Sequence, residues 1–175
     1  MDLQADIYNA IYDLVMSILN PAYDPGPDPE NPAVPAIPVI MDEQAHAAPS
    51  TGPYISIQGS SPLEHFGSHD ITGQDNTGKR GLIQVYKGTC ELWEVNSPGK
   101  LLRQIRDSAE TEASRVIMDA TPVSILEFGD PETVPLKIEK RWIPQSRMLV
   151  EVTISAKTEE TVGIIETVEI VQEAP

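Results

Sequence analysis

The chain has 175 residues, of which 40% are hydrophobic and 22% are charged, and its formal net charge at pH 7 is −15. This length suits one domain with a sizeable core. The acidic balance disfavours nucleic-acid binding through a basic face, and it equally disfavours an anionic membrane surface. A single cysteine, Cys90, excludes an intramolecular disulfide and is typical of a reducing compartment.

The charge is distributed unevenly along the chain. No lysine or arginine precedes Lys79, so the eleven acids of the first 78 residues give that part a formal charge of −11. Residues 79–175 carry sixteen acids and twelve bases and therefore add −4. The opening sequence MDLQADIYNA has no basic segment, and no apolar run approaches the roughly 20 residues of a membrane span. We therefore expect no secretory signal and a cytoplasm-like setting.

An amphipathic helix is predicted over residues 3–19, where apolar side chains recur at spacings of three and four. Asp2 is placed to cap its first turn, and Asn20-Pro21 is placed to end it, because the residue before proline avoids the α region. We expect the segment 1–20 to pack on the core.

A proline-rich segment follows at 21–38, with seven prolines. Proline fixes φ and lacks a backbone donor, so the segment stays extended and builds no core of its own. The two interpretations are a disordered linker and an arm that lies on a neighbouring subunit. As an arm it predicts interface positions at Pro25, Pro29, Pro32 and Pro35.

The next segments are predicted strands. A short strand begins over Val39–Met41, and a second one, with alternating side chains, covers 53–59. Residues 59–81 are polar and glycine-rich, which predicts a projecting loop. The strongest strand pattern covers 82–95, where neither face is cleanly polar, and Gly88 within it is a candidate bulge.

Two helices and a strand are predicted next. Ser97 is the expected N-cap and Pro98 the first residue of a helix ending at 109. A second helix at 110–120 should bury one apolar stripe, and 123–128 reads as a strand. The predicted stripe consists of Ala113, Val116, Ile117 and Ala120.

Two alternating segments close the chain, at 147–157 and 162–172, and the short connection Thr158–Thr161 predicts that they pair as an antiparallel hairpin. The predicted fold class is α+β: a mainly antiparallel sheet with helices packed on one face, plus the proline-rich arm. The core domain should span 39–175.

Few residues of the sequence suggest a catalytic or metal-binding site. His65 and His69 have a spacing that could serve a metal on a helix, but they lie in predicted loop sequence, which favours a solvated loop. Cys90 lies in the middle of a strand and reads as a small buried apolar residue. The sequence contains neither a nucleophile-elbow motif nor a phosphate-binding loop. We expect no catalytic, metal or cofactor site.

Lys140, Arg141 and Trp142 form a basic-aromatic cluster. The interpretations are a weak nucleic-acid contact, an edge segment with extended basic side chains, or an inter-subunit partner for the acidic front half. We include these three residues among the candidate interface positions. The two tryptophans, Trp93 and Trp142, are candidate core or interface anchors.

Three segments, taken in this order, resemble the tail terminator (neck terminator) proteins of tailed bacteriophages. The first is PVIMDEQAHAAPSTGPYISIQ at 38–58. The second is the strand at 82–95 followed by its helix, and the third is the strand pair ending in IIETVEIV after the stretch Arg141–Arg147. The proline-rich segment 21–38 departs from the family pattern as an insertion.

The resemblance implies a non-enzymatic virion protein that is made in the host cytoplasm and assembles into a ring, usually sixfold. Such a ring caps the tail tube, stops its growth and joins it to the head connector protein, with DNA passing through the centre. The alternatives are a head–tail adaptor or stopper, a small acidic cytoplasmic enzyme, and an acidic DNA mimic that inhibits a DNA-binding enzyme.

Overall fold

A computed structural model describes residues 2–23, 35–41, 52–59, 62–70, 79–138 and 141–161. The helices are α1 (Leu3–Leu19), α2 (Lys100–Ser108) and α3 (Glu112–Asp119). The strands are β1 (Val39–Met41), β2 (Tyr54–Gly59), β3 (Glu64–Asp70), β4 (Lys79–Val95), β5 (Val123–Phe128), β6 (Glu132–Thr133), β7 (Leu136–Ile138), β8 (Arg141–Ile143) and β9 (Gln145–Thr161).

Helix α1 has the bounds that its sequence predicts. The Asp2 carboxylate accepts hydrogen bonds from the backbone N–H groups of Gln4 and Ala5, at 3.2 and 3.1 Å. The helix ends at Asn20, whose own N–H donates to the Met16 carbonyl. Its buried face carries the apolar side chains that the spacing singled out, among them Ile7, Ile11, Leu14 and Val15.

The main sheet is ordered β1-β2-β4-β9-β5, with β3 also paired to β4 and β6 to β9. Only the β1–β2 pair is parallel among the described strands, so the α+β prediction of a mainly antiparallel sheet is confirmed. Strands β4 and β9 form its centre and pair without interruption from Lys79↔Thr161 to Val95↔Gln145. A separate two-stranded sheet is formed by β7 and β8.

The core lies between the helices and one face of this sheet. Cys90 and Leu92 of β4 stand opposite Val150 and Met148 of β9, and all four side chains are buried. They join the buried faces of α1 and α2 in one hydrophobic cluster. The alternate residues of β4 are only half-buried, so the other face of the sheet remains open.

The predicted loop over 59–81 is wrong for a substantial part of its length. Residues 64–70 form β3, which pairs with residues 82–87 of β4, and β4 already begins at Lys79. Since β2 covers only residues 90–95 of β4, its other half has a free edge that β3 fills. The side chains on that edge are largely exposed, which is why the segment can be polar.

The predicted closing hairpin is also wrong at its turn. Residues 158–161 continue β9, with Leu82↔Thr158 as one of their pairs on β4. The antiparallel partner of 147–157 is therefore β4, and a turn at Thr158–Thr161 is excluded by the unbroken pairing. The predicted strand at 162–172 lies outside the described residues.

Gly88 is not a bulge, since the β4–β9 register passes through Gly88↔Val152 unchanged. The register shift lies in β3, between His65 and Gly67. Gly88 instead leaves room for a side chain: a Cβ there would lie 2.6 Å from Leu63 Cδ2.

The start of α2 differs from its prediction. The N-cap is Gly99, with φ +80°, so Ser97 and Pro98 precede the helix instead of opening it. A glycine cap supplies no side-chain acceptor. The buried Glu94 carboxylate of β4 supplies one, since its Oε2 accepts the N–H of Leu102 at 3.1 Å.

The predicted apolar stripe of α3 is wrong. Val116 is 65% exposed, Ala113 and Ala120 are exposed as well, and Ile117 is only half-buried. The buried residue is Ser114, whose Oγ donates to the Ser108 carbonyl at 2.9 Å. This bond to the end of α2, with the Thr111 cap, sets the rotation of α3 and overrides its apolar pattern.

Candidate interaction surfaces

The sequence-predicted interface residues fall into two groups. Pro25, Pro29, Pro32 and Lys140 lie outside the described residues, whereas Pro35 is half-buried. Arg141 is exposed and Trp142 is 65% exposed, and both belong to β8. Of the predicted interface residues that the structure describes, Arg141 and Trp142 are therefore the exposed ones.

The two ends of the proline-rich segment meet. The Asn20 side chain donates from Nδ2 to the Ile37 carbonyl, and its Oδ1 accepts the Ile37 N–H, both at 2.9 Å. Asn20 is 8% exposed, so this amide is well shielded from water. Asn20 and Ile37, which flank residues 21–36, are therefore held side by side. Sequence reasoning missed this, because a bond between positions seventeen residues apart has no local signal.

Strands β7 and β8 form a projecting hairpin, hereafter the β7–β8 hairpin. Leu136 stands opposite Ile143, and Lys137 stands opposite Trp142, with Lys137 Nζ 5.6 Å from the centre of the indole ring. Adjacent pairs of an antiparallel ladder point to opposite faces. Leu136 is 43% and Trp142 65% exposed, so apolar side chains are accessible on both faces of the hairpin.

The base of this hairpin is fixed to the main sheet. The Val134 N–H donates to the Gln145 carbonyl at 2.9 Å, and β9 begins at that same Gln145. The β7–β8 hairpin is thus hydrogen-bonded at its base to the first residue of β9.

A groove lies between the α2–α3 pair and β5, hereafter the α3–β5 groove. Its volume is about 790 Å³. Apolar side chains of Met118, Ile125 and Phe128 line it, and each is half-buried. Its charged lining consists of Asp107, Glu110, Asp119, Glu127, Arg106 and Arg115.

Ion pairs lie on the open face of the sheet. Lys87 and Glu151 approach within 2.7 Å across β4 and β9, and Arg147 lies 3.0 Å from Glu132. The Arg147 guanidinium carbon also lies 5.8 Å from the Trp93 ring centre. Each such half-exposed pair stabilises by only about 0–1 kcal/mol.

A buried polar pair lies beneath α2. Glu94 is 0% and Ser146 is 1% exposed, and they are opposite each other on β4 and β9. Glu94 Oε2 caps α2, where the positive end of the helix dipole favours a carboxylate. Glu94 Oε1 and Ser146 Oγ have no hydrogen-bond partner among the described residues.

Reactive chemistry is not favoured at the candidate residues. Burial raises the pKa of the Cys90 thiol from 9.0 to about 11, so the thiolate needed for nucleophilic attack is scarce at neutral pH. His65 is exposed on β3 and meets the Tyr86 ring edge-on at 5.6 Å. Within the described ranges, no three His, Cys, Asp or Glu side chains are grouped to hold a metal.

The comparisons with known proteins leave the family open. No protein-family model matches the chain. No curated protein matches it in sequence. In the part of the chain that the structure describes, no helix is both long and apolar enough to cross a membrane.

Proposed function

We propose that this chain is a structural subunit of a tailed-bacteriophage virion, a tail terminator or neck protein. Identical copies form a ring, sixfold as in the family that the sequence resembles. The ring caps the tail tube and joins it to the head connector protein, with genomic DNA passing through its lumen. The chain is made in the host cytoplasm and ends in the neck of the virion.

The observation that carries this proposal is the distribution of exposed apolar side chains. Large ones lie on β3, on α3, in β5, on the open sheet face and on both faces of the β7–β8 hairpin. They are Phe66, Val116, Leu126, Leu149, Leu136 and Trp142, each at least 41% exposed. Scattered single positions are ordinary, but a hairpin with two apolar faces marks a binding element. A subunit with neighbours on several sides fits this pattern better than an enzyme with one pocket.

The charge distribution supports passage of DNA in preference to binding. The first 78 residues have a formal charge of −11; Asp6 and Asp13 of α1 and its N-cap Asp2 are three of these acids. A lumen lined by such residues repels phosphate, so DNA slides through without being held. We propose that the front half of the chain faces the lumen. A ring structure with these acids on its outer rim would contradict this placement.

The proposed function is tested by removing the polypeptide from a phage that encodes it. Virions assembled without it are expected to show heads separated from tails, and tails of abnormal length, in negative-stain micrographs. Supplying the wild-type chain in trans should restore joined particles. Heads and tails that join normally, with tails of normal length, would end the proposal.

A further inference from the structure

We propose that the β7–β8 hairpin of one subunit docks in the α3–β5 groove of a second copy of this chain. The inference deepens the proposed function, on which it rests, by naming the contact that joins neighbours in the ring. The juxtaposed chemistry is an apolar, basic hairpin and an apolar, acidic groove.

The hairpin needs a covering surface. Two antiparallel strands alone are at best marginally stable in water, because they bury too little apolar area. Here Trp142 and Leu136, on opposite faces, remain 65% and 43% exposed. An exposed tryptophan is the kind of anchor that dominates binding energy once a pocket receives it.

The groove has a suitable size and lining for this anchor. Its volume of about 790 Å³ lies within the range of roughly 300–1,000 Å³ that is typical of binding pockets. Its lining includes the apolar side chains of Met118, Ile125 and Phe128, and that of Leu126, which is 52% exposed. An indole ring covered by these side chains would lose most of its contact with water.

The charges of the two surfaces are complementary. The described hairpin carries Lys137 and Arg141, a charge of +2 in a chain whose net charge is −15. The groove lining carries four acids against two bases, which gives −2. One of those bases, Arg106, is already engaged by Asp130 at 2.6 Å and by Asp107 of the lining at 3.2 Å.

Asp119 is the strongest candidate contact for the basic hairpin. It is the last residue of α3, where the negative end of the helix dipole disfavours a carboxylate and favours a cation. No basic residue lies in the last turn of α3. Asp119 is exposed and has no ion pair among the residues that the structure describes, so its carboxylate is accessible to a cation of a second copy.

The two surfaces do not satisfy each other within one molecule. The hairpin leaves β9 at Gln145, whereas β5 pairs with β9 from Val150 onward, five residues and about 17 Å along the strand. Both surfaces stay exposed in the single chain. A contact between two different patches is heterologous, and such contacts generate rings when the rotation closes.

The contact is tested with variants of the full chain, in solution and in virions that receive the variants in trans. Arg141→Glu and Trp142→Ala are each expected to weaken self-association, the tryptophan truncation by about tenfold or more. Combining Arg141→Glu with Asp119→Arg should restore association. The control Lys157→Glu, the same charge reversal at an exposed site on β9, should leave association unchanged.

A cross-linking experiment tests the same contact directly. Arg141→Cys paired with Asp119→Cys should give subunit-to-subunit cross-links with a short bismaleimide, since the native Cys90 is buried.

Unchanged association of both Arg141→Glu and Trp142→Ala would overturn the contact, as would absence of the cross-link in solution and in virions alike. Rings seen in virions without the cross-link would leave the terminator function standing and remove only this interface. Virions that assemble normally without the polypeptide would instead remove the proposed function itself.

Discussion

The side chain of Asn20 bonds to Ile37 near the far end of the proline-rich segment, and replacing Asn20 tests that link. In Asn20→Ala, the N–H and C=O groups of Ile37 both lose their partner at 2.9 Å. Each hydrogen bond contributes about 1 kcal/mol net, and a shielded group left unpaired costs about 1–3 kcal/mol. Ile37 is half-buried, so water recovers part of the loss. We expect the free energy of unfolding to fall by about 2–3 kcal/mol, a large fraction of a typical stability of 5–15 kcal/mol.

The assay is urea unfolding followed by circular dichroism, with Asn9→Ala as the matched control. Asn9 is exposed in the middle of α1, and alanine is the better helix former, so the control should be neutral or slightly stabilising. Asn20→Asp should destabilise at least as much as Asn20→Ala, because its carboxylate keeps the acceptor for the Ile37 N–H but places a shielded, charged oxygen against the Ile37 carbonyl. Equal unfolding free energies for Asn20→Ala and Asn9→Ala would show that the segment ends are not joined through this amide.

Three further outcomes are expected. Deleting residues 22–36, with a short glycine linker, should leave the circular dichroism spectrum intact and weaken assembly; an unfolded product, or normal assembly, would contradict the arm hypothesis. Because burial raises the pKa of Cys90 from 9.0 to about 11, the unfolded state releases its proton first. Stability is therefore fully present below pH 9 and falls between pH 9 and 11, by up to about 2–3 kcal/mol, and the same titration of Cys90→Ala should lack this component. Glu94→Gln should destabilise by about 1 kcal/mol, since it weakens the cap on α2, and Glu94→Ala by more; equal stabilities of wild type and Glu94→Ala in urea would refute the capping role.

One of the two proposed contact surfaces has a signal in the local sequence, and the other has none. The composition of Lys140, Arg141 and Trp142 predicts a contact region; Arg141 and Trp142 are exposed, and the contact itself stays a prediction. The α3–β5 groove had no sequence signal. It is built from residues of α2, α3 and β5 whose acids are unremarkable in an acidic chain, and only their packing leaves a cavity between them.

The wrongly predicted elements depend on hydrogen-bond partners that hydrophobic periodicity does not show. Residues 64–70 are polar and look like a loop, yet they form a strand because β4 offers them a free edge. Thr158–Thr161 look like a turn, yet they extend β9 because β4 starts at Lys79. The predicted apolar stripe of α3 is not buried, because hydrogen bonds of Ser114 and Thr111 orient the helix with Ser114 inward. The partners of the two strand segments are distant in sequence, whereas those of Ser114 are nearby polar groups that an apolar periodicity does not include.

Local sequence patterns are sufficient to predict α1, the long strand β4, the buried face of β9 and the mixed helix–strand class, because periodic burial and helix caps act between neighbouring residues. The pairing of the strands, the capping of α2 by Glu94 and the bond between Asn20 and Ile37 depend on the folded arrangement. Those features depend on backbone and polar groups finding partners that folding brings together, and a linear pattern does not record such partners.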